Sequence, residues 1–211
     1  MRTEISKLKN GLRIISTKIP NLKTVSVGLW IDCGTRDEDK KINGISHVLE
    51  HMAFKGTKKR SAFDIAAEIE SVGGYLNAYT SRENTFYFAK VMQEDLGLAV
   101  NLMSDIILNS TMDEKELARE KAVILQEIAQ TNDTPDDIIF DYLQENAFPD
   151  QPMGQPILGT EDIVNQVTSE ILTRYMNNTY APARIILSAA GNVDHSKFQK
   201  EAKNCFGNMQ K

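Results

Sequence analysis

Gly73-Gly-Tyr-Leu-Asn-Ala-Tyr-Thr-Ser-Arg-Glu-Asn-Thr-Phe-Tyr-Phe-Ala-Lys-Val91 decides the fold class, because the hydrophobic period changes within it. Before it, Ser61-Ala-Phe-Asp64 opens a helical pattern that runs to about Val72 and is stopped by Gly73-Gly74, as glycine commonly stops helices. After the glycines, residues 75–80 and 85–91 are rich in Tyr, Phe and Thr and read as two strands joined by Ser81-Arg82-Glu83-Asn84. Upstream, 12–16 and 25–31 read as strands, the first following an Asn10-Gly11 hairpin turn. Between them and the helix at 61–72, Gly44 to Phe54 fits a helix that is apolar almost all round and hence buried. Downstream come helices at about 93–109, 113–131 and 135–146, the last with Thr134 as N-cap and Pro135 at its first position. A loop at 150–156, a short helix near 168–177, a strand at 184–190 and a helix from 194 to about 206 complete the chain. Hairpins at both ends of a helical middle predict one α+β domain of two layers, a largely antiparallel sheet covered by helices.

Composition narrows the function. The 211 residues hold 24 Lys+Arg against 29 Asp+Glu, and a formal charge of -5 argues against a nucleic-acid binder. Cys33 and Cys205 form no CxxC, so neither a disulfide framework nor a cysteine metal site is expected. Cys33 reads as a small buried hydrophobe at a strand end. A reducing compartment, the bacterial cytoplasm or one like the mitochondrial matrix, is the expected location. The N-terminal residues show no signal-peptide apolar region, and no run approaches the roughly 18 residues of a membrane span. No repeat, low-complexity segment or linker divides the chain.

Two of the three histidines fall in His47-Val-Leu-Glu-His51, an H-x-x-E-H pattern. On a helix these histidines lie one turn apart on one side with Glu50 beside them. Two neutral imidazoles so placed can bind one zinc ion, and a carboxylate on the same arc can take a proton from water. A catalytic zinc needs a third protein ligand. On the helix at 113–131, Glu127 and Glu120 fall within the apolar arc of Leu117, Val123, Ile124 and Ile128. A carboxylate facing a core asks for a cation, a metal or a proton donor; alternatively the arc is half-buried and both glutamates reach solvent. The third histidine, His195, lies outside these patterns and reads as a surface residue at a helix start.

His47-Val-Leu-Glu-His51-Met-Ala-Phe54-Lys-Gly-Thr57, Leu76-Asn-Ala-Tyr-Thr-Ser-Arg-Glu83 and Arg119-Glu120 through Gln126-Glu127 together resemble the pitrilysin/insulinase family of zinc peptidases, in particular its processing-peptidase branch. The resemblance implies one zinc ion held by His47, His51 and Glu127, with Glu50 as general base. Glu127 stands 76 positions beyond His51, the spacing of the family's third ligand. Glu120 matches a supporting glutamate. Asn77, Ala78 and Tyr79 match an edge strand on which the peptide substrate is added as a further strand; the segment is otherwise an ordinary hairpin strand. Asp137 and Asp141 match an acidic pair that recognises an arginine before the cleavage site, although Asp137 in a first helical turn also suits the helix dipole. Phe54 matches a residue lining a pocket for an apolar side chain, or else packs in the core. Family chains of this branch are about twice as long and built of two similar domains. Residues 1–211 therefore correspond to the N-terminal catalytic domain, whether as part of a longer protein, a half pairing with a separate chain, or a shortened protein. The expected partners are a peptide or unfolded protein and a second family domain or oligomeric partner. The alternative is a non-catalytic scaffold or partner subunit of the same superfamily.

Overall fold

Residues 1–210 are described by a computed structural model. One sheet is built from β1 (Arg2–Lys7), β2 (Arg13–Lys18), β3 (Thr24–Ile31), β4 (Tyr75–Thr80), β5 (Thr85–Met92) and β6 (Ile185–Gly191), in the order β1-β2-β6-β3-β5-β4. The helices are α1 (Ile45–Ala53), α2 (Ala62–Ser71), α3 (Leu96–Leu108), α4 (Glu114–Asp133), α5 (Pro135–Ala147), α6 (Glu161–Gln166), α7 (Ser169–Thr179) and α8 (His195–Phe206). All neighbouring strands run antiparallel except β2 and β6.

Strand alternation sorts the sheet into two faces. Val25, Val27, Leu29 and Ile31 of β3, Tyr87, Ala89 and Val91 of β5, and Ile185 and Leu187 of β6 are buried on the helix side. The alternate positions form an opposite face with aromatic character. Trp30 stacks on Phe86 at 3.8 Å between ring centroids, and Phe86 lies 5.3 Å from Phe88. Gly28 makes this possible, since a Cβ there would sit 2.4 Å from the Phe86 ring. With Ile15, Ser188 and Ala190 these rings line a groove of about 530 Å³.

The two-layer α+β architecture agrees with the sequence expectation, but four details differ. First, β1 precedes the Asn10-Gly11 turn; its only large apolar residue, Ile5, is exposed, so the strand carries no hydrophobic pattern. Second, β6 is not part of a terminal hairpin: it inserts between β2 and β3 in the middle of the sheet. Third, Thr134 precedes α5, but its hydroxyl donates to the Gln130 carbonyl of α4 at 2.7 Å and does not cap α5. His195 also departs from a plain surface role. It is half-buried at the start of α8, with Nδ1 2.8 Å from Ser16 Oγ of β2 and Nε2 3.0 Å from Ser6 Oγ of β1, so it ties the edge strand β1 and its neighbour β2 to α8. Cys33 is buried as expected, 3.2 Å from the Tyr175 hydroxyl. Among the described residues, no helix is long and apolar enough to cross a membrane.

Candidate metal centre

Helix α1 is where the sequence places most of its chemistry, and its start is built with care. Gly44 stands before it with φ +90, a left-handed conformation, pressed so closely on Leu158 and Gly159 that a Cβ would lie 2.7 Å from their backbone. The role of a capping side chain is taken by a residue six positions back. Glu38, 1% exposed, accepts from Gly44 N at 2.6 Å, Ser46 N at 2.8 Å and Asn43 Nδ2 at 3.2 Å. The two backbone donors, Gly44 N and Ser46 N, are among the free amides that a helix start must satisfy. Burial nevertheless dominates and pushes the Glu38 carboxyl up to about 7. Ser46 continues the network through its hydroxyl to Tyr175 at 2.9 Å.

The inward side of α1 holds Val48, Leu49 and Met52 in the core, which turns His47 and His51 toward α4. Their rings meet edge to face with centroids 4.6 Å apart. From α4, Glu127 Oε2 lies 3.7 Å from His47 Nε2 and 3.5 Å from His51 Nε2. One ligand atom from each of the three residues lies within 4.8 Å of the others. The nitrogen–oxygen distances are too long for hydrogen bonds and close to the roughly 3.3 Å between neighbouring ligand atoms around a tetrahedral zinc ion. Burial, with His51 alongside, lowers the pKa of His47 to about 3, so its imidazole is neutral and can offer a lone pair near neutral pH. The donor set and its spacing therefore suit a zinc ion.

Glu120, one of the few buried charged residues, holds the second histidine. Its Oε2 lies 3.0 Å from His51 Nδ1 and its Oε1 2.8 Å from Lys55 Nζ. A carboxylate paired with Lys55 accepts a proton donor from His51 Nδ1, which leaves Nε2 with its lone pair turned to the centre. His47 has no such support: its Nδ1 is buried without a hydrogen-bond partner among the described residues. Glu50 lies on the same helix, its Oε2 accepting the Thr80 hydroxyl at 2.6 Å. Burial raises its pKa, working against that hydrogen bond and the nearby His51.

The helical arc of α4 is narrower than the sequence suggests. Leu117, Glu120 and Ile124 are buried, but Val123 is 40% exposed, so the apolar stripe ends at Glu127, whose side chain is 39% exposed. Partial exposure is what an open coordination position requires.

The remaining residues are spread around this centre. Asn77, Ala78 and Tyr79 lie on β4, the last strand of the sheet, which pairs only with β5. The amide of Ala78 donates to Asn77 Oδ1 at 2.9 Å, so this amide points away from the ladder to the open edge. Phe54 ends α1 and lines a pocket of about 260 Å³ with Ile65, Ile69, Tyr75 and Leu76. Asp137 and Asp141 share α5 but not an environment: Asp137 is exposed, whereas Asp141 is paired with Arg82 at 2.8 Å. The sequence reading missed Glu38, Lys55 and Thr80. Only Thr80 left a usable signal, since it shares the helix-facing register of Leu76 and Ala78 on β4.

Comparison with known proteins identifies the family of the chain. Residues 13–161 match the family model described as insulinase (peptidase family M16). The mitochondrial-processing peptidase subunit beta of Saccharomyces cerevisiae is 44% identical over 209 residues, 99% of this chain and 45% of that protein. A protein of Rickettsia felis described as an uncharacterized zinc protease is 43% identical over 206 residues, 98% of this chain and 50% of that one. The crystal structure of a protease from Helicobacter pylori superposes with a TM-score of 0.94 at 26% identity, covering 99% of this chain and 51% of that one. The chain thus spans about half the length of the relatives it matches.

Proposed function

The chain belongs to the insulinase family of peptidases, peptidase family M16, and from that premise we propose that it is the zinc-holding N-terminal half, residues 1–211, of a two-domain metalloendopeptidase. The observation that carries this reading is the convergence of His47 Nε2, His51 Nε2 and Glu127 Oε2 beside the carboxylate of Glu50. These three residues would hold one zinc ion, which when bound supplies Lewis-acid chemistry, making water acidic and polarising a peptide carbonyl.

The chain's own residues do the rest. Glu50 takes the proton of the attacking water and returns it to the nitrogen of the leaving amine. Thr80 fixes Oε2 of Glu50, so the other oxygen is the one free to carry that proton. Burial favours the protonated carboxyl, which makes Glu50 a stronger base than an exposed glutamate. Glu120 holds His51 in the tautomer that coordinates. The substrate is an extended peptide that adds to the open edge of β4, where main-chain bonds at Asn77, Ala78 and Tyr79 give affinity without reading sequence. Phe54 and its apolar pocket receive a side chain beyond the scissile bond. Asp137 and Asp141 give the site a preference for arginine, and basic, presequence-like peptides suit the net charge of -5.

Two features support a second domain or partner chain. The relatives are about twice as long, and the aromatic sheet face around Trp30, Phe86 and Phe88 is an apolar surface of the kind a partner covers. A scaffold subunit would have no use for a complete donor set with its supporting Glu120–Lys55 pair. Cys33 and Cys205 are free, which supports a reducing compartment such as the bacterial cytoplasm or the mitochondrial matrix. The test is cleavage of an arginine-containing basic peptide with zinc supplied, beside the Glu50→Gln variant. Cleavage that disappears in the variant supports the assignment; equal cleavage by both would remove it.

A further inference from the structure

Arg82 sits at the tip of the β4–β5 hairpin, where side chains usually reach solvent, yet its side chain is only 17% exposed. The turn that carries it is fixed from behind. The carbonyls of Ser81 and Arg82 accept from Thr35 N at 3.2 Å and Arg36 N at 2.9 Å, and they pass so close to Gly34 that a Cβ there would lie 2.5 Å from both oxygens. The guanidinium is thereby delivered to α5. Its Nη2 donates to Asp141 Oδ1 at 2.8 Å and its Nε to the Met153 carbonyl at 3.2 Å. The contact to Asp141 uses one carboxylate oxygen; the other accepts no hydrogen bond among the described residues. One turn away, Asp137 is exposed and has no ion-pair partner among the described residues.

We propose that Arg82 is a specificity-setting residue that competes with the arginine of the substrate for Asp141. The inference rests on the reading of Asp137 and Asp141 as an arginine-recognising pair. An incoming guanidinium meets Asp137 free and Asp141 already neutralised. It must then either displace Arg82 from Oδ1 or take the second oxygen beside another positive charge, and both routes weaken its binding. Arg82 thus lowers the preference for arginine below what two free carboxylates would give, and the preference is set by the hairpin that also presents the substrate-binding edge.

The test compares two peptides that differ only in arginine or its neutral isostere citrulline, with affinity read by fluorescence anisotropy on the full-length protein carrying Glu50→Gln. Arg82→Gln is expected to raise the arginine-to-citrulline affinity ratio about two- to fivefold, the range for a partly exposed ion pair, with citrulline binding unchanged. A ratio that is unchanged or falls overturns the competition, and a fall would mean that Arg82 positions Asp141 for the substrate. Arg82→Lys keeps the charge but gives up the planar fork; a ratio near that of the parent supports competition by charge, and one as high as that of Arg82→Gln contradicts it. Asp141→Asn tests the underlying reading separately. A ratio that drops toward one supports recognition by Asp141; an unchanged ratio removes that reading and the competition with it.

Discussion

Helices α1, of nine residues, and α5, of thirteen, both pack on α4, but they are built in opposite ways. In α1, six of nine residues are buried, Glu38 closes its start, and His51 is held by Glu120 of α4. In α5 no residue is buried, and Ile139, Phe140, Tyr142 and Leu143 are all more than half exposed. Metal binding and proton transfer need geometry held to a fraction of an ångström, which a packed helix supplies. A substrate-reading surface can instead remain open until a peptide or partner covers it. On the proposed function, the metal ligands and the base sit on packed elements, whereas the surface assigned to peptide reading is left open.

The comparison can be broken most directly at Glu50. If α1 carries the proton transfer, Glu50→Gln lowers the rate of peptide cleavage by about 10²- to 10⁴-fold without loss of metal, measured by single-turnover kinetics and metal analysis together. Packing of the same helix is tested by Leu49→Ala, which leaves a cavity under the metal-binding side and should cost about 2–5 kcal/mol in denaturant unfolding. Glu120→Gln probes the support behind His51, and a 10- to 100-fold weaker zinc affinity is expected from a competition titration.

Glu38 gives a pH signature. Because its carboxyl is pushed up to about 7 from an ordinary 4.5, the folded state holds this proton more tightly than the unfolded chain. Its contribution to stability is complete below pH 4.5 and is lost as pH rises through about 7. Glu38→Gln should flatten that decline in a series of thermal midpoints; an unaltered decline would show that other groups produce it. The smallest effect is expected on α5, where Phe140→Ser with Leu143→Ser should change the stability of the chain by no more than about 0.5 kcal/mol for each substitution. A large loss would mean that α5 belongs to the packed core and would dissolve the contrast with α1.

What could be read from the sequence follows from how far each signal travels along the chain. The strand-like run of β3, the Tyr, Phe and Thr content of β5 and the almost wholly apolar α1 are local patterns, and they predicted elements close to those observed. His47, Glu50 and His51 are one turn of one helix, so their shared side could be drawn from spacing alone. Glu127 could be placed only on the apolar arc of α4, facing the core or reaching solvent; its meeting with His51 across two helices came from family resemblance. Contacts set by loop paths were invisible. Glu38 reaches Ser46 through an irregular turn, and Arg82 reaches Asp141 across 59 positions. β1 was missed because an edge strand half in water needs no apolar alternation. The central place of β6 could not be read because a buried strand has the same pattern wherever it enters the sheet.

The central claim is that α1 and α4 together hold one zinc ion through His47, His51 and Glu127. Metal content by elemental analysis after dialysis against trace zinc, on the parent chain, Glu127→Gln and Glu50→Gln, tests it most directly. One zinc per chain in the parent and in Glu50→Gln, with loss in Glu127→Gln, is the predicted result. A parent chain without zinc, or a Glu127→Gln variant that retains it in full, would contradict the assignment.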